Sequence, residues 1–246
     1  MIVRSIFLSI LLMISSTFAS AKVTQVNYKA KFGIFGTVGT IKNRLDQNKK
    51  TYQIDTTVKL AGLAKMIMGG QTEHYISKGH MEKGKMVSDL YQMISKKKHK
   101  TVSKEYRIDH KRKFVTKRYR KWKDGKLVKE TIERLKFYAK DDLLTLYFNM
   151  DKAITQKGKV YMIKAVGLEK QKGIVKVTVP TDAKASAYKK DLGKSADWYA
   201  KALIVQKNFR KKKGEILLSV DKDRFIKKAV IKDVLLYGDA KLIRTK

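Results

Sequence analysis

Thr51-Tyr52-Gln53-Ile54-Asp55-Thr56-Thr57-Val58-Lys59-Leu60 puts Tyr52, Ile54, Thr56, Val58 and Leu60 on one side of an extended chain and Thr51, Gln53, Asp55, Thr57 and Lys59 on the other. Successive side chains of a strand point to opposite faces, so this period of two predicts a strand with one face packed and one wet. Antiparallel sheets give that one-sided pattern, because they can leave a face in water. The same alternation runs through Val26, Tyr28, Ala30 and Phe32, then through 160–166, Val175 to Val179, Tyr199 to Phe209, and Ile216, Leu218 and Val220. Asp124-Gly125, between Tyr119 to Trp122 and Leu127-Val128, is a two-residue hairpin signal, since both positions tolerate positive φ. Asp46 to Asn48, Lys83-Gly84, Lys157-Gly158, Lys172-Gly173 and Lys213-Gly214 read as further turns. With typical strand and loop lengths the chain holds roughly ten to thirteen strands. The fold class expected is mainly β: one large antiparallel curved sheet, a half-barrel or barrel, with one or two short helices packed on or in it.

Two segments break the alternation. Asp141 can cap a helix in which Leu143, Leu146, Tyr147 and Met150 form one apolar stripe, and that helix should lie against the sheet. Leu60 to Met68, before Gly69-Gly70, is apolar nearly all round and reads as a short helix or loop at one end of the sheet, either a lid over a ligand or a plug closing the core. Thr181 to Asp197 is a long loop or a short helix around Ala185 to Leu192. One proline, Pro180, and no Pro/Ser/Gly linker leave a single domain over 22–246.

The first residues read as an export signal. Arg4 precedes an apolar run from Ile6 to Ile14, and Ala19-Ser20-Ala21 offers small side chains for cleavage after Ala21. The run falls well short of the ~20 apolar residues that span a bilayer. Residues 1–21 are thus expected to be a cleaved signal peptide and the mature protein periplasmic. The absence of cysteine excludes disulfides, thiolate metal sites, a cysteine nucleophile and a lipidated N-terminal cysteine.

There are 57 Lys and Arg against 22 Asp and Glu, an excess of 35 that falls to 34 when Arg4 leaves. Such a surface seeks anionic partners. Export points away from nucleic acid and toward lipid head groups or envelope polymers, with peripheral membrane contact, since each basic residue near an anionic membrane contributes about 1 kcal/mol. Lys96, Lys97, Lys98, Lys117, Arg118, Arg120 and Lys121 are the basic surface this reading selects, and aromatic residues are interleaved with the last four.

No G-x-S-x-G elbow, phosphate loop or dinucleotide glycine pattern occurs, so no catalytic residue and no cofactor is assigned. His74 and His80 share a strand face but lie roughly 20 Å apart, too far for one ion. His99 sits among Lys96, Lys97, Lys98 and Lys100, where neighbouring cations oppose a metal, and Asp221 and Asp223 lack the remaining ligands of a calcium loop. No metal site is expected.

Three stretches carry a family resemblance: Tyr28-Lys29-Ala30-Lys31-Phe32-Gly33-Ile34-Phe35-Gly36-Thr37-Val38-Gly39, Asp141-Asp142-Leu143-Leu144-Thr145-Leu146-Tyr147, and Gly214 to Phe225 followed by Tyr237-Gly238 and Leu242. On these the chain resembles the exported bacterial proteins grouped as domain of unknown function 3108 (DUF3108). Members often carry a proline after the turn arginine, where this chain has Phe225-Ile226 after Arg224. The resemblance implies a periplasmic, mostly β protein and brings no catalytic residues. The expected architecture also looks like the half-barrel of the lipoprotein carriers LolA and LolB, an analogy of shape.

The expected function is therefore non-enzymatic: a binding or carrier protein for a lipid or other amphiphilic anionic envelope component. Phe32, Phe35, Leu60, Leu63, Met66, Ile67 and Met68 are its candidate ligand-binding residues. The alternative is an interaction protein that holds envelope polyanions on its basic surface without a pocket.

Overall fold

The computed structural model describes residues 22–62, 65, 70–205, 213–234 and 238–245. The expected signal peptide lies outside them. The described strands are β1 (Lys22–Phe32), β2 (Gly36–Gln47), β3 (Thr51–Leu60), β4 (Thr72–Glu82), β5 (Lys85–Lys97), β6 (Lys100–Asp109), β7 (Phe114–Lys123), β8 (Lys126–Arg134), β9 (Asp141–Asp142), β10 (Val160–Val166), β11 (Ile174–Thr178), β12 (Trp198–Val205), β13 (Lys213–Val220), β14 (Ile226–Val234) and β15 (Gly238–Thr245). They form one sheet in the order β8-β7-β6-β5-β4-β3-β2-β1-β15-β14-β13-β12-β11-β10-β9. Pairing is antiparallel throughout, except where β9 runs parallel to β10. Two helical turns, α1 (Leu143–Phe148) and α2 (Met150–Ala153), follow β9, and α3 (Ser186–Leu192) lies between β11 and β12.

Chain order and spatial order agree because short turns join most neighbours. Lys83 and Gly84, and Asp124 and Gly125, all take positive φ, as two-residue hairpin turns require. The exception is the pair β1 and β15, which joins the first and last described strands: Tyr28 stands opposite Arg244. Because the strands are antiparallel, one rim of the sheet carries Phe32 to Gly36, the ends of β3 and β4 at Leu60 and Thr72, Lys97 to Lys100 and Lys123 to Lys126. The opposite rim carries Gln47 to Thr51, Glu82 to Lys85 and Asp109 to Phe114.

The sheet curls until its β9 edge meets β5, where the Ser88 N–H donates to the Lys140 carbonyl at 3.0 Å. Beyond that seam β6, β7 and β8 continue as a wing. Its inner face rests on the turn after β10, where the Tyr106 hydroxyl donates to Glu169 and the Lys117 ammonium lies 3.3 Å from the same carboxylate. β8 is the outer edge, and every one of its residues is exposed.

The core lies between the curled sheet and the segment that includes α1 and α2. Leu143 and Leu146 pack on Val175, Val177, Trp198 and Leu218, while Leu144 and Phe148 pack toward Tyr52, Ile54 and Met86. Burial of such side chains contributes about 1.5–3 kcal/mol each. Tyr147 reaches β1, where the Tyr28 and Tyr147 hydroxyls meet at 2.5 Å and Tyr28 donates onward to the Ile226 carbonyl at 3.0 Å.

Asp142 fastens this segment. Its side chain is fully buried, and one oxygen accepts the Leu144 and Thr145 N–H groups at 2.7 and 3.0 Å. The other oxygen accepts the Ser77 and Thr145 hydroxyls at 2.5 and 2.8 Å. The Tyr52 hydroxyl joins the group 2.7 Å from Thr145 Oγ1. Burial raises the carboxyl above its ordinary pKa, and the donated hydrogen bonds pull it back.

The mainly β class and the helix against the sheet stand as read; the described residues hold fifteen strands, above the ten to thirteen expected, and two local readings change. The cap of α1 is Asp142, one residue beyond Asp141, because only the second carboxylate faces the free N–H groups of the first turn. Of the two readings of Thr181 to Asp197, the structure takes the short helix, α3, whose Leu192 and Tyr188 pack on Tyr199 and Leu217. Lys213-Gly214 lies within β13, paired with Val205 and Ile204, and is not a turn.

Asp142→Ala should lower unfolding free energy by about 3 kcal/mol or more, since it removes a helix cap and leaves buried donors without an acceptor. Asp142→Asn, which keeps one acceptor oxygen, should cost less. Urea unfolding of both variants measures this; an Asp142→Ala loss below about 1 kcal/mol would show that the cluster does not hold the segment in place.

Candidate functional site

Strands β4, β5 and β6 present a groove on the inner face of the sheet, at the rim that also carries Phe32 and Leu60. Side chains two apart share a face, so Gln71, Glu73 and Tyr75 line up beside Met93, Ser95 and Lys97, and these beside Lys100, Val102 and Lys104. The hairpin registers hold the rows together: Glu73 faces Ser95 and Tyr75 faces Met93 across β4 and β5. The cavity measures about 350 Å³ and opens to solvent. It exceeds the ~300 Å³ lower bound of ordinary ligand sites, although much of the concave face is filled by the protein's own side chains.

The groove has two chemical parts. Tyr75, Met93 and Val102 make an apolar floor continuous with the buried cluster of Tyr91, Tyr106 and Val166. Lys97, Lys100 and Lys104 stand along one side. The acid on the other side, Glu73, is already engaged by the Gln71 amide at 2.7 Å and by the Tyr75 hydroxyl. Burial and the Glu73 charge push the Tyr75 phenol well above its ordinary range, so it stays a proton donor.

Among the described residues, none of the sequence-selected ligand residues lines this groove. Phe32 and Leu60 are half-buried at the same rim, and Phe35 is 44% exposed beside them. Leu63, Met66, Ile67 and Met68 lie outside the described residues, so the lid-or-plug question falls there too. The groove residues Tyr75, Met93, Val102 and Lys104 were not singled out from sequence. Their signal was present in the alternation of three successive strands, but it becomes a surface only once the turn after Glu82 fixes which residues face each other.

The basic surface also needs correction. Lys117 is nearly covered and sits between Glu133 and Glu169, at 2.9 and 3.3 Å. Arg118 pairs with Glu130 at 2.8 Å, and Arg120 lies within 4 Å of Glu105 and Glu130 while its guanidinium stacks 5.8 Å from the Trp122 ring. These three serve β7 and its neighbours. Among the described residues Lys96, Lys97, Lys98 and Lys121 form no ion pair; Lys97 lines the groove, while Lys96 lies on the opposite face of the sheet beside Thr101 and Trp122.

A second groove, of about 360 Å³, opens at the opposite rim among Glu82, Lys85, Met86, Lys140, Asp141 and Asn149. Burial raises the Asp141 carboxyl from 3.8 to about 6, opposed by the Asn149 amide at 3.3 Å and by Lys85 and Lys140. Glu82 and Asp141 stand among Lys83, Lys85, Lys140 and Lys152, so this groove carries charges of both signs where the first has a cationic side.

No protein-family model matches this chain, and no curated protein does. Among solved structures it is similar to the crystal structure of a beta-barrel-like protein of domain of unknown function DUF1849 from Brucella abortus, at 12% identity and a TM-score of 0.46, over 90% of this chain and 95% of that one. The fold itself defines the class: a mainly β protein built from one large, curved, mostly antiparallel sheet.

Asp141 gives a pH test of the structure. Its folded pKa is raised, so the folded state holds the proton more tightly than the unfolded state, and stability falls as pH rises from about 4 to about 6. The expected share is up to about 3 kcal/mol, and Asp141→Asn should remove it. Chemical denaturation across that pH range compares the two proteins; parallel curves would place Asp141 in water.

Proposed function

We propose that this protein binds a lipid with an anionic head group, laying part of the acyl chain on Tyr75, Met93 and Val102 and the head against Lys97, Lys100 and Lys104. The observation that supports the reading is the groove's division into an apolar floor and a cationic side within one open cavity of about 350 Å³. Ligand sites combine an apolar lining with a few placed polar groups, and this groove has that composition. The resemblance to exported DUF3108 proteins and the expected periplasmic location agree with an envelope lipid as cargo. No catalytic group is needed, and we read the protein as a carrier or sensor rather than an enzyme.

The alternative, a polyanion held on the basic surface without a pocket, separates by salt. Between 0.1 and 1 M the Debye length falls from about 10 to about 3 Å, which abolishes surface docking and spares a buried chain. Fluorescently labelled palmitate is the probe. Binding should persist at high salt, weaken about tenfold or more in Met93→Asp, which sets a charge on the floor, and weaken less in Lys97→Glu/Lys100→Glu. Binding lost entirely at high salt would favour the surface polyanion reading, and binding untouched by Met93→Asp in a folded protein would remove the groove from the proposal.

A further inference from the structure

At the opposite rim, beside the seam between β5 and β9, two histidines and an aspartate converge. His80 Nδ1 lies 3.0 Å from both carboxylate oxygens of Asp89, and His110 Nε2 lies 3.2 Å from Asp89 Oδ1. The three donor atoms all fall within 4.8 Å of one another. We propose that His80, Asp89 and His110 bind a single divalent transition-metal ion, with Zn²⁺ the best match to the donor set.

The distances suit that ion. Bonds of about 2.0–2.2 Å in a tetrahedron place neighbouring ligand atoms about 3.3 Å apart, close to the two separations observed. Two imidazoles and one carboxylate make a borderline donor set, as zinc prefers, rather than the all-oxygen cage of calcium or magnesium. The side chains are 44%, 48% and 23% exposed in the order His80, Asp89, His110, so a fourth position opens to water. Lys140, a nearby cation, is already paired with Glu82 at 2.9 Å.

The backbone is shaped to bring these groups together. Between β4 and β5 the register steps from Lys78 opposite Leu90 to Gly79 opposite Ser88, which leaves Asp89 as the extra residue of a bulge. A bulge re-aims a side chain, and here it turns Asp89 toward His80 instead of leaving it in the alternation. The close approach depends on Gly79, where a Cβ would stand 1.9 Å from the Val87 carbonyl oxygen. His110 is held in turn: Tyr138 Oη lies 2.8 Å from Nδ1, and Nε2 donates to the Ser88 carbonyl at 2.9 Å. When the ion takes Nε2, the ring proton moves to Nδ1 and is donated to Tyr138, the outer partner that a ligating histidine ordinarily has. The expectation of no metal site weighed His74 with His80; His74 instead pairs with Asp55 at 3.2 Å.

The site lies roughly 20 Å along β4 from the proposed lipid groove and stands independently of it. An ion there joins the β4–β5 turn to the start of the β6–β7 turn, next to the Ser88–Lys140 hydrogen bond, and so fastens the seam.

The test uses the tag-free mature protein, stripped with a chelator and titrated with ZnCl₂ by calorimetry and with Co²⁺ by visible absorption. One equivalent should bind, Co²⁺ should show the intense d–d bands of a four-coordinate site, and Zn²⁺ should raise the melting temperature. Affinity should fall by more than roughly 100-fold in His80→Ala and in Asp89→Ala, and by about 10-fold in Tyr138→Phe, while His74→Ala binds as wild type. His80 and Asp89 are exposed, so their variants should remain folded by circular dichroism, and they decide the matter if His110→Ala does not. Absence of stoichiometric binding would leave the cluster as plain histidine–aspartate pairs. Wild-type affinity in His80→Ala and Asp89→Ala would put the ion elsewhere; either result overturns the proposal.

Discussion

A carboxylate cannot be left in a protein interior without donors, and Asp142 meets that demand with four hydrogen bonds from three residues. Two come from the backbone of α1 and one from Ser77 on β4, so the same group that starts the helix also fixes it to the sheet. The arrangement leaves little freedom. Once Asp142 is placed, Leu143 and Leu144 must point into different parts of the core, Tyr147 must reach Tyr28, and Lys140, two residues earlier, arrives at the Ser88 N–H where the sheet closes. A buried hub of this kind stabilises less by net energy than by making other placements costly.

The division of the molecule into two working ends follows from that placement. The helical segment occupies the middle of the concave face, so the groove among Tyr75, Met93 and Val102 survives only toward one rim. The histidine–aspartate cluster sits toward the other, where β6 has parted from β5 and the chain before β9 takes its place beside Ser88. Electrostatics follows the same geometry. Lys117, Arg118 and Arg120 of β7 are spent on Glu105, Glu130, Glu133 and Glu169, whereas Lys97 and Lys100 beside the turn between β5 and β6 line the groove.

How much of this was legible in the sequence varies with the range of the interaction concerned. The strand at Thr51 to Leu60, the Asp124-Gly125 turn and the apolar stripe through Leu143, Leu146 and Met150 are local patterns, and each appears where it was read. The neutralisation of Lys117 was not legible, because Glu169 lies 52 positions away and meets it only after the sheet has curled. The same holds for His80 with His110. Counting back from the Lys83-Gly84 turn sets His80 opposite Val87, but the bulge that presents Asp89 depends on a strand approach that no periodicity encodes. Asp142 rather than Asp141 as cap is a one-residue difference, decided by which carboxylate the buried Ser77 hydroxyl can reach.

That the sheet closes on β5 rather than on β8 also sets how the molecule comes apart. β8 is bonded on one side only, and Ile132, its most exposed apolar residue, keeps 62% of its surface in water, so lifting the strand away uncovers little that was dry. Its charged residues, Lys126, Lys129, Glu130, Glu133 and Arg134, discourage another strand from docking there. The Ser88 amide is in the contrary position, since freeing it means parting the seam and uncovering the cluster around Asp142. Amide hydrogens along β8 should therefore exchange through local fraying, whereas exchange of the Ser88 amide should require the seam to part, which would make it a native reporter of the sheet's opening.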